Sequence, residues 1–192
     1  MLELALILQV IILLNPLSSF PLLLRAYQEK LNVRRIAVQA ILLAFVIAML
    51  IVICGPLLFS LFSVSIDSFR IAGGVVLFLL GIDTVRPKEE NNHKKGVDEV
   101  DGLISIIATP LLTGPATISF VAIKTAEIGA LQMLANLIPA FIIAGTIFVG
   151  GSLVIHKINH KVVSILSRVL GLFLTGMAIE MIATGMKGMF VM

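Results

Sequence analysis

Six long apolar segments constrain the fold of this chain more than any other feature of its sequence. They run from about Leu2 to Leu24, Ile36 to Phe62, Ile66 to Val85, Leu103 to Ile123, Leu131 to Ile155 and Val162 to Met186. An α-helix needs about 20 residues to cross the hydrocarbon layer of a bilayer, and every segment is long enough. The strict alternation of apolar and polar residues that marks a membrane β-barrel is absent from the sequence. The sequence therefore predicts an all-α integral membrane protein with six transmembrane helices.

The composition excludes most classes of soluble protein. Of the 192 residues, 59% are hydrophobic and 13% are charged, whereas about 25% of the residues in a soluble domain are charged. A soluble domain of this size could not bury so much apolar surface. This argues against a soluble enzyme, a disordered protein and a protein that binds nucleic acid. The single cysteine, Cys54, excludes an intramolecular disulfide and a cysteine-based metal site, and we expect no metal and no cofactor.

A polar stretch, residues 86–102, divides the chain into two parts of similar length. It carries four basic and five acidic residues, which is typical of a solvated linker. We expect residues 1–85 and residues 103–192 to form two three-helix units of one transmembrane domain. The loops after the first, third and fifth segments hold ten basic residues, against three at the opposite face. The positive-inside rule then places the linker in the cytoplasm and both termini outside, in a multi-pass protein of the cytoplasmic membrane.

The two parts of the chain share motifs in the same order. The first segment contains Asn15–Pro21, with the sequence NPLSSFP, and the fourth contains Thr109–Pro115, with the sequence TPLLTGP. The third segment contains Arg70–Gly73 and the sixth contains Arg168–Gly171, at an offset of 98 residues where the first pair has 94. Because each part holds an odd number of helices, the second copy must enter the membrane from the other side. The sequence predicts two inverted three-helix repeats, an architecture found in many secondary transporters.

Paired prolines in the two motifs predict that the first and fourth helices are broken. Proline removes a backbone donor and clashes with the preceding turn, and within lipid such irregular backbone is tolerated only beside protein or water. One half-helix end attracts carboxylates and the other attracts ammonium groups, so a pair of breaks suits a zwitterion. The predicted substrate contacts are Asn15, Pro16, Ser18, Ser19, Thr109, Thr113, Gly114 and Thr117. The alternative is that both motifs are only proline kinks.

Charged residues within the apolar segments are the candidates for ion coupling or gating. They are Glu180, Asp83, Asp67, Arg70 and Arg168. Asp67 and Arg70 stand three residues apart shortly after Ser65, so we expect an ion pair on one helix face and Ser65 as the N-cap. A purely structural role is the alternative for this pair, and a snorkelled or paired carboxylate is the alternative for Glu180. For Asp83 the alternative is an ion pair with Arg86, and for Arg168 it is a role in stabilising the fold at the start of the helix.

With these motifs the chain resembles the MarC family of membrane proteins, which includes small neutral amino acid transporters. The stretches that carry the resemblance are Asn15–Pro21, Ser65–Gly74, Thr109–Pro115, Arg168–Leu172 and Gly185–Gly188. The resemblance covers both halves of the chain. It implies a six-helix inner-membrane protein and, for some members, transport of glycine, alanine or similar amino acids. The chain departs from the common family pattern at Ser18–Phe20 and at Ala116, which are positions that would line a substrate site.

The sequence predicts a secondary active transporter of small neutral amino acids, of the glycine and alanine class. It contains no phosphate-binding glycine loop of the ATPase type and no supported catalytic triad. We therefore predict that the protein is not an enzyme and that a gradient of H⁺ or Na⁺ drives transport. Its expected partners are the substrate, the coupling ion and the bilayer, and a homo-oligomer is left open. The alternatives are an exporter or channel for other small metabolites and a membrane scaffold that transports nothing.

Overall fold

A computed structural model describes residues 2–86, 114–155 and 160–190. Over these residues the chain folds into seven α-helices and one short 3₁₀ turn. The helices are α1 (Leu4–Leu14), α2 (Phe20–Gln28), α3 (Val33–Phe62), α4 (Ile66–Val85), α5 (Pro115–Ile128), α6 (Ala130–Leu153) and α7 (His160–Phe190), and the 3₁₀ turn is Pro16–Ser19. No β-strand occurs within these three ranges. The predicted all-helical class is confirmed.

Four of the helices are long and apolar enough to cross a membrane. The four spans are Val33–Gly55 in α3, Ile66–Val85 in α4, Ala130–Leu153 in α6 and Val162–Phe190 in α7. Their outward faces carry large exposed apolar side chains, such as Leu50, Ile142 and Leu172, which lipid covers in a membrane protein. These spans correspond to the second, third, fifth and sixth predicted segments.

The first predicted segment is divided between two shorter helices. α1 and α2 are joined by Asn15 and the 3₁₀ turn. The break therefore lies within the Asn15–Pro21 motif, where the paired prolines predict it. Of the fourth predicted segment, the structure describes the part from Gly114 onward, which begins α5. Residues 87–113, with nearly all of the linker and most of the second motif, lie outside the described residues.

Capping side chains set the starts of two spanning helices. Ser65 begins α4 by accepting a hydrogen bond from the N–H of Ser68 at 3.1 Å, which confirms the predicted N-cap. Asn32 begins α3 in the same way, accepting from the N–H of Arg35 at 3.1 Å. Such caps satisfy N–H groups that have no partner inside the helix. α3 ends at Ser63, whose φ of 52° is left-handed, so the chain can turn directly into α4.

The helices α4 and α7 pack against each other in antiparallel directions along their length. The first turn of α4 meets the end of α7, where Gly188 lies against Asp67. In the middle, a Cβ on Gly74 would be 2.6 Å from Cγ1 of Ile182. At the other end, Gly171 lies against the last turn of α4. Glycines on both helices thus allow the two backbones to approach closely.

The helices α3 and α6 form a second antiparallel pair. Phe45 and Phe141 make an edge-on ring contact with their centroids 5.2 Å apart, and Gly145 lies against Ile41 one turn away. The residue number rises along α3 as it falls along α6, so the two helices run in opposite directions. α5 packs on both α3 and α4, and α1 packs on α6. The break after α1 is therefore surrounded by helices from both halves of the chain.

Candidate functional site

The chain leaves the helical path at Asn15, in the middle of the first predicted segment. Asn15 closes α1 by donating its backbone N–H to the carbonyl of Ile11 at 3.1 Å. Its φ of 38° and ψ of 60° are left-handed, a conformation that asparagine adopts more readily than most residues. Pro16 follows and has no N–H with which to continue an α-helix. The dipeptide Asn-Pro therefore ends α1 through its own backbone geometry.

This break is buried. Asn15 is 4% exposed and Ser19 is fully buried, and the 3₁₀ turn packs against α6 and α7. After the turn, Phe20 lies against Gly151 and makes an edge-on contact with Phe148, with ring centroids 6.0 Å apart. Irregular backbone within a membrane must be enclosed by protein or face a wet cavity. The packing around the turn supplies this enclosure.

The hydroxyl of Ser19 is a polar group inside this enclosure. Its Oγ is buried and, among the residues that the structure describes, has no hydrogen-bond partner. Leaving a buried polar group without a partner costs about 1–3 kcal/mol, and proteins usually satisfy such groups with a ligand, an ordered water or another side chain. The break therefore offers a ligand one hydroxyl that the described part of the fold does not use.

The second motif ends where α5 begins. Gly114 is buried and extended, with φ −75° and ψ 175°, and Pro115 takes the first helical position, where its missing N–H costs nothing. Thr117, in the first turn of α5, is 2% exposed. The apolar core that includes Leu14 also includes Ala116, and α1 packs against α5. Residues beside both motifs thus belong to one apolar core, and the N-terminal end of α5 is the end of that helix that attracts anions.

The structure describes most of the predicted substrate contacts, and those whose burial it describes are buried. The buried ones are Asn15, Pro16, Ser19, Gly114 and Thr117. Ser18 lies in the 3₁₀ turn, while Thr109 and Thr113 lie outside the described residues. Contact of these residues with a substrate stays a prediction.

A charged cluster joins α4, α5 and α7 at the end where α4 begins. Arg70 donates to Oδ1 of Asp67 at 2.6 Å and also to Glu127 of α5. Lys124 donates to the same Glu127 at 2.8 Å, and Gly188 of α7 lies directly on the carboxylate of Asp67. The predicted pair of Asp67 and Arg70 is confirmed. The cluster ties three helices together.

Sequence reasoning missed Glu127. The sequence feature that could have indicated it is Lys124, three residues earlier, because this spacing places opposite charges on one helix face. Both residues lie shortly before Gly129, where α5 ends. Glu127 lies outside the four candidate spans. Burial raises the pKa of Glu127, but the hydrogen bonds from Arg70 and Lys124 outweigh burial, so this pKa lies below its ordinary value of 4.5. At neutral pH the carboxylate is therefore charged and holds both cations.

A cleft of about 320 Å³ opens beside the charged cluster, between α1, α4, α5 and α7. Its lining includes Gln9, Arg70, Glu127 and Glu180. Glu180 is exposed and lies about 15 Å from the end of α7, at 1.5 Å per residue. At that depth in a membrane a carboxylate needs water or a cation beside it. The cleft, with its polar and charged walls, can supply both.

The five candidates for coupling or gating fall into two groups. Asp67, Arg70 and Glu180 lie in or beside the cleft, whereas Asp83 and Arg168 are exposed toward the opposite ends of α4 and α7. Arg70 and Arg168 occupy matching places in the sequence but have different surroundings. Arg70 is ion-paired, with 19% of its side chain exposed, whereas Arg168 is an exposed residue. The five residues therefore do not lie at one place.

Comparisons with known proteins identify similar chains of nearly equal length. The family model described as MarC family integral membrane protein matches residues 2–190. The UPF0056 membrane protein MJ1677 of Methanocaldococcus jannaschii is 32% identical, over 92% of this chain and 91% of that protein. The UPF0056 membrane protein YvbG of Bacillus subtilis is 29% identical, over 92% of this chain and 90% of that protein. No solved structure matches the chain.

Proposed function

Because the chain belongs to the MarC family of integral membrane proteins, we propose that it is a secondary active transporter. Its substrates are small neutral amino acids of the glycine and alanine class, and it works in the cytoplasmic membrane. The observation that carries this proposal is the buried break at Asn15, with the hydroxyl of Ser19 that no described residue satisfies. The relatives' names describe them only as membrane proteins, so the chemistry of the break supports a neutral zwitterion, and the glycine and alanine class comes from the family resemblance.

The two motifs offer opposite partial charges without a full charge. α1 ends at the break, so its last carbonyl groups form the negative end of a half-helix. α5 begins after Gly114, so its first N–H groups form the positive end. The ammonium and carboxylate groups of an amino acid zwitterion match these two ends. Neither motif contains Arg, Lys, Asp or Glu, which favours a substrate without net charge.

We further propose that the chain crosses the membrane six times, as inverted repeats formed by residues 1–85 and 103–192. The packing of the described helices supports this arrangement. α3 pairs with α6, and α4 pairs with α7, so each pair joins helices that hold the same place in the two halves. Both pairs are antiparallel, which is the relation that a two-fold axis in the membrane plane imposes on equivalent helices. The broken first and fourth segments are then the remaining crossings.

An ion gradient is the proposed driving force. Glu180 and Arg70 both line the cleft beside the charged cluster, where binding of a proton to Glu180 removes a negative charge from the membrane interior. Na⁺ would instead use the carbonyl oxygens that the break frees from helical hydrogen bonds. The variant Glu180→Gln distinguishes the two ions. It abolishes transport driven by a proton gradient if H⁺ is the coupling ion, whereas it leaves a Na⁺ site of backbone carbonyl oxygens intact.

Uptake of labelled glycine and alanine into proteoliposomes tests the transport proposal. We expect saturable uptake, counterflow and a dependence on an imposed proton or sodium gradient. Ser19→Ala removes the buried hydroxyl, and Asn15→Gly removes the amide while the left-handed backbone stays accessible. Each variant should lower uptake about tenfold, which corresponds to the loss of about one hydrogen bond to the substrate.

Ser60→Ala is the matched control for these variants. Ser60 is exposed near the end of α3 and donates to the carbonyl of Leu57 at 2.8 Å, so its loss should leave uptake unchanged. Flux without saturation or counterflow would indicate a channel instead of a carrier. Protein that melts normally but neither binds nor moves any neutral amino acid would overturn the proposal, in favour of an exporter of other metabolites or a scaffold.

A further inference from the structure

An apolar groove of about 670 Å³ lies on the outer surface between α3 and α6, separate from the charged cleft. α3 lines it with Val38, Ile41 and Phe45, and α6 lines it from Ile138 to Gly150. Along α6 the groove is about 18 Å long, at 1.5 Å per residue. This is close to the depth of one leaflet, since the whole hydrocarbon layer is about 30 Å thick.

A second cleft of about 360 Å³ adjoins one end of this groove, and Val38 lines both. Arg34 and Arg35 line the cleft from the first turn of α3, and both residues are exposed. Gln39 also lines it, with a buried Oε1 that has no hydrogen-bond partner among the described residues. Because α3 begins here, the positive end of its dipole adds to the two guanidinium charges.

We propose that the groove and the cleft together bind one anionic phospholipid. The phosphate lies on Arg34 and Arg35, and an acyl chain lies between α3 and α6. A guanidinium group suits this role because its planar donors match phosphate oxygens. Phosphatidylglycerol is the anionic phospholipid chosen as the probe, because its phosphate carries the single net negative charge of its headgroup. The inference does not rest on the transport proposal, because a scaffold could carry the same lipid site.

Length and charge both favour a lipid over a second copy of this chain. A packed transmembrane helix would use a groove along the full hydrocarbon thickness, whereas this groove ends after about one leaflet. In a symmetric dimer with its axis along the membrane normal, the basic start of α3 would face its own copy, and like charges in an interface are unfavourable. An anionic headgroup neutralises the same two arginines.

Native mass spectrometry of the full-length protein in detergent tests this inference. The protein is offered equal amounts of dioleoyl phosphatidylglycerol and dioleoyl phosphatidylcholine, which differ only in their headgroups. We expect the wild type to retain the anionic lipid at least about fivefold better, in line with the attraction of one basic residue for an anionic surface. The double variant Arg34→Gln, Arg35→Gln should lose this preference.

Gly150→Leu tests the groove independently of the arginines. A Cβ at Gly150 meets nothing within 4 Å, so a leucine side chain there can occupy the groove without disturbing α3. This variant should retain less of both lipids. Gly150→Ala is its matched control, because it removes the same glycine but adds only a methyl group, and it should bind lipid nearly as the wild type does.

Arg86→Gln controls for loss of charge in general. Arg86 is exposed at the end of α4 and does not line the cleft, so the lipid preference should stay intact. Equal retention of both lipids by the wild type, or an equal loss of preference in Arg86→Gln, would overturn the inference. A dimer that Gly150→Leu abolishes, without specific lipid retention, would assign the groove to a second copy of the chain.

Discussion

Asn15 takes a left-handed conformation within the first apolar segment, so the last carbonyl groups of α1 lose their helical partners there. Pro16 makes the end of α1 predictable from the sequence, because proline cannot donate the next helical hydrogen bond. The enclosure of Ser19 could not be predicted in the same way. It depends on α6 and α7, which pack over the 3₁₀ turn from far along the chain. Local chemistry therefore locates the break, and long-range packing decides that its polar groups are buried.

The two ion pairs of Arg70 show the same difference between local contacts, which a sequence predicts, and long-range contacts, which it does not. Its pair with Asp67 follows from a spacing of three residues on one helix. Its pair with Glu127 joins residues 57 positions apart and exists only because α5 packs on α4. A single sequence contains the two charges but does not show that they meet.

Glu127→Gln should lower stability at neutral pH, and this loss should shrink as the pH falls below 4.5, the ordinary pKa of the group. The bonds to Arg70 and Lys124 lower the pKa of Glu127 in the folded protein, despite its burial. Its charge therefore adds stability above the unfolded pKa, and this contribution is lost as the pH falls through the lower folded pKa. We expect wild type to melt about 2–4 °C higher than the variant at pH 7, and we expect this difference to decrease at pH values below 4.5. A difference of the same size at pH 7 and at pH 3 would show that charge is not its cause.

At the scale of the helices, α4 was the element whose bounds were predicted most closely. Its observed range, Ile66–Val85, is the predicted one, because Ser65 caps its start and Arg86 follows its end. α3 begins at Val33 rather than Ile36 since the cap is Asn32, so two arginines that resemble loop residues belong to its first turn. Which of the spanning helices pair was not predicted, because small residues occur on several helices and their spacing does not identify a partner helix.

Gly74→Ala should destabilise the protein through the contact between α4 and α7. A Cβ at Gly74 would be 2.6 Å from Cγ1 of Ile182 and 3.0 Å from the carbonyl oxygen of Ala178. The second atom belongs to the backbone, so the helices must separate. We expect a loss of about 1–3 kcal/mol, measured by unfolding in detergent. Gly150→Ala, where nothing lies within 4 Å, is the control and should unfold as the wild type does.

Equal stability of Gly74→Ala and wild type would contradict the close packing of α4 on α7. A loss in Gly150→Ala as large as that in Gly74→Ala would instead show that any added methyl group is harmful.

At the scale of the whole molecule, the length and number of apolar segments predict the class of fold. Lipid offers no hydrogen bonds to backbone N–H and C=O groups, and an α-helix pairs these groups within one segment. The pairing of α3 with α6 and of α4 with α7 agrees with the predicted repeat. The groove that continues from Arg34 was not predictable. It is formed by the space between two helices, and a sequence does not show where two apolar faces leave a gap.

Labelling of single cysteines tests the six proposed crossings. Cys54→Ala first removes the only cysteine. A cysteine at Asn91, in the linker, and one at Phe190, at the end of α7, are then separated by three crossings. We expect a maleimide that cannot cross the membrane to label Phe190→Cys in intact cells and Asn91→Cys only after permeabilisation. Labelling of both from the same side would contradict the arrangement.

The contact of Gly188 with Asp67 joins residues that the ribosome makes far apart in time. Gly188 follows Asp67 by 121 residues, which takes about 6–24 s at 5–20 residues per second. For most of this interval α4 has been synthesised, but the helix that covers its glycines and its acidic first turn has not. The helix that is synthesised last, α7, thus packs on a helix that was synthesised much earlier, α4. A chain truncated before α7 therefore leaves the glycines and the acidic first turn of α4 uncovered.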